Sequence, residues 1–228
     1  MKRLIESGEL GRPLVGVCQT LWYRGLPYYE LPWRGQWAQE TGGVAATMGI
    51  HLTDLLLWLM GDWKQVQATI DTMDRPIEVE NVAMAIVRFE NGAMGTIASS
   101  AVSPRQESYL RLDFQRATVD VTGLYAYSTA NWRYAVYDGS PQQDLLERWR
   151  TVEQDVASSH IVQVAELLDS MDRSERPFVS GAEARRILEF LTSMYKAALT
   201  GEPVMRGSIV PGDPFYGAMN GAAQTTSK

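Results

Sequence analysis

The chain has 228 residues, 45% of them hydrophobic and 21% charged, enough apolar material for a sizeable core and too much for a disordered chain. Its 27 acidic residues outnumber 21 basic ones for a formal charge of -6, and the basic residues are scattered, which excludes the footprint of a nucleic-acid or anionic-membrane binder. One cysteine, Cys18, excludes an internal disulfide, and two histidines, His51 and His160, are too few for structural zinc, so no metal is expected. No apolar run approaches the roughly 20 residues of a membrane span, and no apolar segment follows the charged N-terminus. The expectation is a cytoplasmic protein with small-molecule or protein partners.

Residues 2–7 read as the last turns of a helix closed by Gly8, and Pro13 opens an extended stretch through Tyr23. Residues 24–43 lack periodicity and crowd aromatic and guanidinium side chains between Tyr28 and Trp37; irregular segments of that length inside a domain are commonly functional. From Val44 to Met60 the apolar Val44, Met48, Leu52, Leu55, Leu56 and Leu59 recur at three- and four-residue spacing, which predicts an amphipathic helix ended by Gly61. Three β-rich segments follow, Val66–Met73, Asn81–Phe89 and Ala93–Val102, and Asn91 with Gly92 predicts a type I′ hairpin between the last two. Further strands are expected within 108–122 and 130–138. A helix from about Ser159 to Met171 aligns Ile161, Val164, Leu168 and Met171 on one stripe, and another runs from the capping box of Ser180 and Glu183 to Leu199. After Met205 the composition turns to Gly, Pro, Ser and Thr. Residues 207–228 read as a tail, able to cross to another subunit, beyond a domain of residues 1–206.

Segregated strands and helices predict an α+β fold: an open-faced, predominantly antiparallel sheet, meandering by its short links, with helices on one face. Val82, Met84 and Ile86 alternate with Ala83, Ala85 and Val87, so both faces read as apolar. The uncovered face is therefore expected to form a homo-oligomer.

No glycine-rich dinucleotide fingerprint, Walker lysine motif or nucleophile elbow is present, so no nucleotide site is expected in this chain. Thr47, His51 and Asp54 stand at i, i+4 and i+7 of the predicted helix, on one face. There Asp54 can orient or tune the imidazole, and His51 can serve as a general acid or base near neutral pH. A histidine hydrogen-bonded at the edge of a core helix has the same spacing. In the loop, Trp33 and Trp37 offer flat surfaces for a sugar ring, and Arg24 and Arg34 offer forked donors. These four, with Thr47 and Asp54, are the candidate substrate-binding residues; a loop that packs its own aromatics has the same composition. His160 reads as a surface or capping residue and Cys18 as a small core residue.

The run from Trp33 through Thr41, Gly42, Gly43, Gly49, His51, Asp54, Trp58 and Gly61 resembles the signature of the C-terminal domain of the Gfo/Idh/MocA oxidoreductases. Segments 5–11, 89–95, 176–184 and 198–201 extend the likeness over about residues 2–206. The resemblance implies an open-faced sheet that follows a Rossmann domain binding NAD or NADP, a pocket for a sugar or polyol, and oligomer contacts through the free sheet face. It also implies that His51 is the general acid/base for hydride transfer. Relatives typically carry an Asp four residues before that histidine, where this chain has Thr47. Their catalytic Lys, in a Glu-Lys-Pro motif of the nucleotide domain, is matched by none of Lys2, Lys64, Lys196 and Lys228, nor by Glu175, Arg176 and Pro177. Three readings remain open. The chain is the substrate-binding and oligomerisation half of an NAD(P)-dependent oxidoreductase, inactive until a nucleotide-binding domain ahead of Met1 or a separate partner completes it. It is a stand-alone binding or scaffold module that lost redox chemistry. Or it is an enzyme that uses His51 and Asp54 without a nicotinamide.

Overall fold

A computed structural model describes residues 1–123, 128–136, 142–151 and 159–221. Eight strands form one sheet: β1 (Pro13–Tyr23), β2 (Trp63–Asp71), β3 (Val82–Phe89), β4 (Met94–Ser100), β5 (Val102–Phe114), β6 (Ala117–Thr122), β7 (Trp132–Val136) and β8 (Val204–Met205). The helices are α1 (Lys2–Glu6), α2 (Trp37–Glu40), α3 (Ile50–Met60), α4 (Gln142–Arg150), α5 (His160–Asp172) and α6 (Gly181–Thr200). The fold is α+β with a predominantly antiparallel, open-faced sheet in the order β7-β6-β5-β1-β4-β3-β2-β8.

The sheet is not a simple meander. β1 inserts between β4 and β5, parallel to the first and antiparallel to the second, so the earliest strand becomes the centre of the sheet. Short links between later strands carried no information about where β1 would pair. β4 and β5 are separated only by Ala101, whose carbonyl accepts from Arg24 N and whose N–H donates to Asn81 O, so a sharp bend stands where the sequence reads as one apolar run.

The core follows strand alternation. Cys18, Ala83, Ala85, Val87, Ile97, Leu110, Leu112, Val119 and Val121 are buried on the helix-covered face. Opposite them, α3 contributes Leu52, Leu56, Leu57, Leu59 and Met60, and α6 contributes Ile187, Phe190, Leu191 and Met194. The stretch 37–60 is apolar enough by composition to match a membrane span, and it is spent on this core. Gly16 lets α3 lie directly on β1, because a Cβ there would stand 2.7 Å from Leu56 Cδ1.

Four expectations change. The helix predicted from Val44 opens as a π-helical turn, Ala45–Gly49, before becoming α-helical. The hairpin at Asn91 is not type I′: only Gly92 has positive φ, and the Asn91 side chain accepts from Ala93 N and donates to Met60 O within a four-residue link, 90–93. Residues 207–221 pack on this chain's own α6 instead of crossing away, through the ion pair of Lys196 with Asp213 and the ring of Phe215 beneath Lys196; residues 222–228 lie outside the described residues. Finally, the second sheet face is apolar only in part. Val15, Met84, Ile86 and Met94 are exposed on β1, β3 and β4, whereas β5 and β6 place Arg111, Asp113 and Thr118 there in a hydrogen-bonded cluster.

α6 begins at the box predicted for it. Ser180 Oγ accepts from Ala182 N, and Glu183 accepts from the Ser180 hydroxyl and from Ser180 N at 2.9 Å; the hydroxyl first, then the backbone amides of Glu183 and Ser180, lower the Glu183 pKa to about 2. Ser180→Ala is expected to lower stability by about 1 kcal/mol, read as a shifted midpoint in chemical denaturation with an unchanged slope.

Candidate functional site

The site is assembled around the entry to α3. The loop ending in Gly42 and Gly43 wraps a carboxylate that no motif search singles out, that of Glu80. One Glu80 oxygen accepts from Gly43 N at 2.8 Å; the other accepts from Ala45 N at 3.0 Å and from Tyr195 Oη at 2.8 Å. Glu80 O also accepts from Val44 N at 3.0 Å. Both glycines are required by this closeness: a Cβ on Gly43 would stand 1.7 Å from Glu80 O, and one on Gly42 would stand 2.4 Å from Tyr195 Oη. Burial raises the Glu80 pKa despite its three donors, and burial followed by the neighbouring Glu80 raises that of Tyr195.

His51 follows, exposed, on the first turn of α3. Desolvation by the surrounding chain lowers its pKa from the ordinary value near 6.5, the His160 imidazole lowers it further, and Asp54 opposes both more weakly. The imidazole is therefore biased towards the neutral form that accepts a proton. Asp54 is shared: Arg186 of α6 lies 3.4 Å from its carboxylate. Thr47 donates its hydroxyl to Gly43 O at 2.8 Å, so towards a ligand its oxygen can only accept. The structure thus keeps His51 and Asp54 within electrostatic reach, while Thr47 in the π turn lines a small void with Tyr28, Tyr29, Glu40, Val79 and Glu80.

The four loop candidates are held mainly by one another and by their own chain. Arg34 pairs with Glu40 at 2.6 Å, and its guanidinium lies 4.0 Å from the Trp33 ring and 4.3 Å from that of Tyr28. Trp37 donates to Glu78 O and packs edge-on against Tyr195, with centroids 5.5 Å apart. Arg24 donates to Tyr23 O and stacks on Trp22 and Tyr28. Of the two indoles, Trp33 is the exposed one. Between this loop and residues 76–78 runs an open groove of about 430 Å³ lined by Tyr29, Arg34, Gly35 and Glu78 among others. Sequence reasoning missed Glu80 and Tyr195; the signal available was the adjacent glycines, whose need for space implies a large neighbour.

No group of three or more potential metal ligands occurs among the described residues. Among the described residues, the glycine turn that would hold the dinucleotide the family implies is already occupied by this chain's own carboxylate. The Gly42–Gly43 turn before the π turn and α3 is the place where amides would cradle a pyrophosphate, and those of Gly43 and Ala45 are already bound by Glu80.

A family model for the GFO/IDH/MocA C-terminal domain matches residues 1–123, and the chain belongs to that family. It is 22% identical over 224 residues to D-apiose dehydrogenase of Rhizobium rhizogenes, covering 92% of this chain and 61% of that protein. It is 23% identical over 137 residues to levoglucosan dehydrogenase of Pseudarthrobacter phenanthrenivorans, covering 49% of this chain and 35% of that one. Among solved structures, the WlbA dehydrogenase of Bordetella pertussis in complex with NADH and UDP-GlcNAcA superposes with a TM-score of 0.75 at 26% identity, over 90% of this chain and 58% of that one. The chain thus spans less than two thirds of the length of these relatives.

The raised Glu80 pKa has a signed consequence. In the folded state the acid keeps its proton above the unfolded value of about 4.3, so stability falls as pH rises from there to the native pKa. Denaturation midpoints of wild type and Glu80→Gln across this range should show the wild type losing stability relative to the variant as pH rises; parallel profiles would contradict it.

Proposed function

We propose that this chain is the substrate-binding and oligomerisation domain of an NAD- or NADP-dependent sugar or polyol oxidoreductase, active only together with a nucleotide-binding unit. The observation that carries the reading is His51: an exposed imidazole with lowered pKa, within reach of Asp54, at the start of a helix fixed from below by Glu80. The names of its relatives support it. D-apiose and levoglucosan dehydrogenases act on sugars, and the WlbA structure contains NADH with a nucleotide sugar.

On this reading His51 would accept the hydroxyl proton of the substrate during oxidation and return it in the reverse direction. Asp54 steadies the imidazolium that forms. The exposed ring of Trp33 and the groove beside Arg34 form the rim that receives the sugar. The nicotinamide supplies the electron-pair acceptor. A cytoplasmic setting accords with the single thiol, Cys18, which burial pushes up to about 12 and renders inert. Thr47, in the place of the usual acid, favours a second reading, a binding module without redox chemistry.

The two readings part at His51. In the enzyme assembled with its nucleotide-binding unit, His51→Ala should reduce kcat by about 10²–10⁴-fold with little change in KM. The acid limb of kcat/KM for alcohol oxidation should lie below the ordinary imidazole pKa of about 6.5, since the lowered value keeps the base neutral to lower pH. Undiminished turnover in the variant would overturn the role of His51, whereas no turnover by the assembled wild type would leave only the binding module. The oligomer is assigned to the apolar part of the sheet's outer face. The double variant Met84→Lys with Ile86→Lys, both at exposed positions, should convert a dimer to a monomer in light scattering.

A further inference from the structure

We propose that Arg186 is a positioning residue for proton transfer: it holds the Asp54 carboxylate toward α6, so that Asp54 does not close an ion pair with His51 and the imidazole meets its substrate as a neutral base. The proposal rests on the oxidoreductase reading above and names the residue that tunes the base of that site.

Asp54 has two cations within reach, and only one of them is permanent. It stands three residues after His51 on α3, a spacing at which helical side chains are neighbours, and α3 carries no lysine or arginine to compete. The second cation comes from across the sequence: Arg186 Nη2 lies 3.4 Å from Asp54 Oδ1. A guanidinium is charged at any pH a folded protein meets, whereas the imidazole is a cation only below its own pKa. Wherever His51 is neutral, Arg186 is therefore the cation that Asp54 has beside it.

Arg186 is free for this contact because the acids nearest to it on α6 are taken. Glu183 and Glu189 stand three residues before and after it; Glu183 accepts from Ser180 N and from Arg176, and Glu189 accepts from Gly207 N at 2.8 Å. The Arg186 side chain is only 24% exposed, and its Nε is buried without a protein acceptor, so among the described residues Asp54 is the carboxylate that balances it. Asp54 itself is half-exposed, and a carboxylate in that position turns to where charge holds it.

Few charges face the His51 ring, which makes the effect of this one readable. Among the described residues His160 of α5 and Asp54 of α3 act on it, and α6 acts by way of Arg186 on Asp54. The π turn Ala45–Gly49 carries no ionisable side chain. Beneath α3, β1 presents Gly16, Cys18 and Thr20 and β5 presents Ser108, Leu110 and Leu112, of which only the inert Cys18 thiol titrates. A carboxylate closed onto an imidazole favours the imidazolium and raises its pKa. With Asp54 drawn to Arg186, desolvation of the ring decides the direction instead, and that direction is downward.

His51 and His160 are the chain's two histidines, so an NMR titration of the ring protons reads each of them in the chain itself, with His160→Gln assigning the signals. Arg186→Met, which keeps the aliphatic stem, should move the His51 midpoint upward, and Arg186→Lys, with a shorter reach and no fork, should move it the same way by less. Unchanged thermal unfolding verifies the fold of each. The upward shift should shrink when Arg186→Met is combined with Asp54→Asn, because its route is the carboxylate. An unmoved or lowered midpoint in the single variants overturns the proposal. So does a shift of undiminished size in the Asp54→Asn background, which would make Arg186 a direct field on the ring. In the enzyme assembled with its nucleotide-binding unit, the acid limb of kcat/KM should follow the NMR midpoint upward in Arg186→Met. The titration needs no turnover, so its failure leaves the oxidoreductase reading standing, and a moved midpoint with His51→Ala at full rate overturns that reading while leaving the coupling of Arg186, Asp54 and His51 in place.

Discussion

The Glu80 carboxylate is the contact on which the candidate site depends. Two backbone amides and one phenol converge on it in the interior, and the carbonyl of the same residue takes a third amide, so the chain between Gly43 and Ala45 has little freedom. A buried carboxylate without partners would be neutralised or expelled; here its donors are groups that would otherwise be unpaired at a helix start. Removal of the acid would strand those amides, at about 1–3 kcal/mol for each. The requirement explains the adjacent glycines, since no side chain fits between the loop and Glu80 or Tyr195. It also explains the π turn: with Ala45 fixed on one side and Gly49 pressed against Ser99 of β4 on the other, the first turn takes up an extra residue before α3 regains its register.

A glycine-containing turn leading into a helix is where many proteins receive phosphate, because free amides and the helix dipole favour an anion there. In this chain the anion is internal. The arrangement fixes the loop, and His51 stands exposed at the beginning of α3 that follows it. Two apolar areas are left in water, the outer sheet face at Met84 and Ile86 and the stripe at Ile161 and Leu168.

Much of the fold was legible because local and global signals agree. β1 was bounded by Pro13 and Tyr23 in sequence and in structure, and the box at Ser180 fixed the start of α6. What could not be read was set by contacts distant in sequence. β1 pairs in parallel with β4 across some eighty residues, and nothing in either strand encodes that choice. The short β8 pairs with β2 over two residues, below the length at which alternation is visible. The α5 stripe was correctly periodic, yet periodicity reports that a face is apolar and is silent on whether its cover lies in the same chain. At the site, Thr47, His51 and Asp54 looked equivalent on a helical wheel, but the π turn separates the first from the others.

Thr47 shows how the same junction constrains chemistry. Its hydroxyl proton is committed to Gly43 O, and its side chain borders the void that Glu80 and Glu40 also line. A carboxylate at position 47 would face two acids across a few ångströms, one of them with a pKa already raised by burial. Glu40 is engaged with Arg34, and Glu80 has spent its oxygens on the backbone and Tyr195, so neither leaves a cation free to balance a third acid. The threonine preserves the hydrogen bond to the turn and the shape of the pocket floor without adding that charge. His51, separated from Thr47 by the π turn, has its pKa lowered by desolvation and then by the His160 imidazole, and only weakly restored by Asp54, so its bias towards the neutral imidazole is set by its own surroundings and not by the residue at position 47.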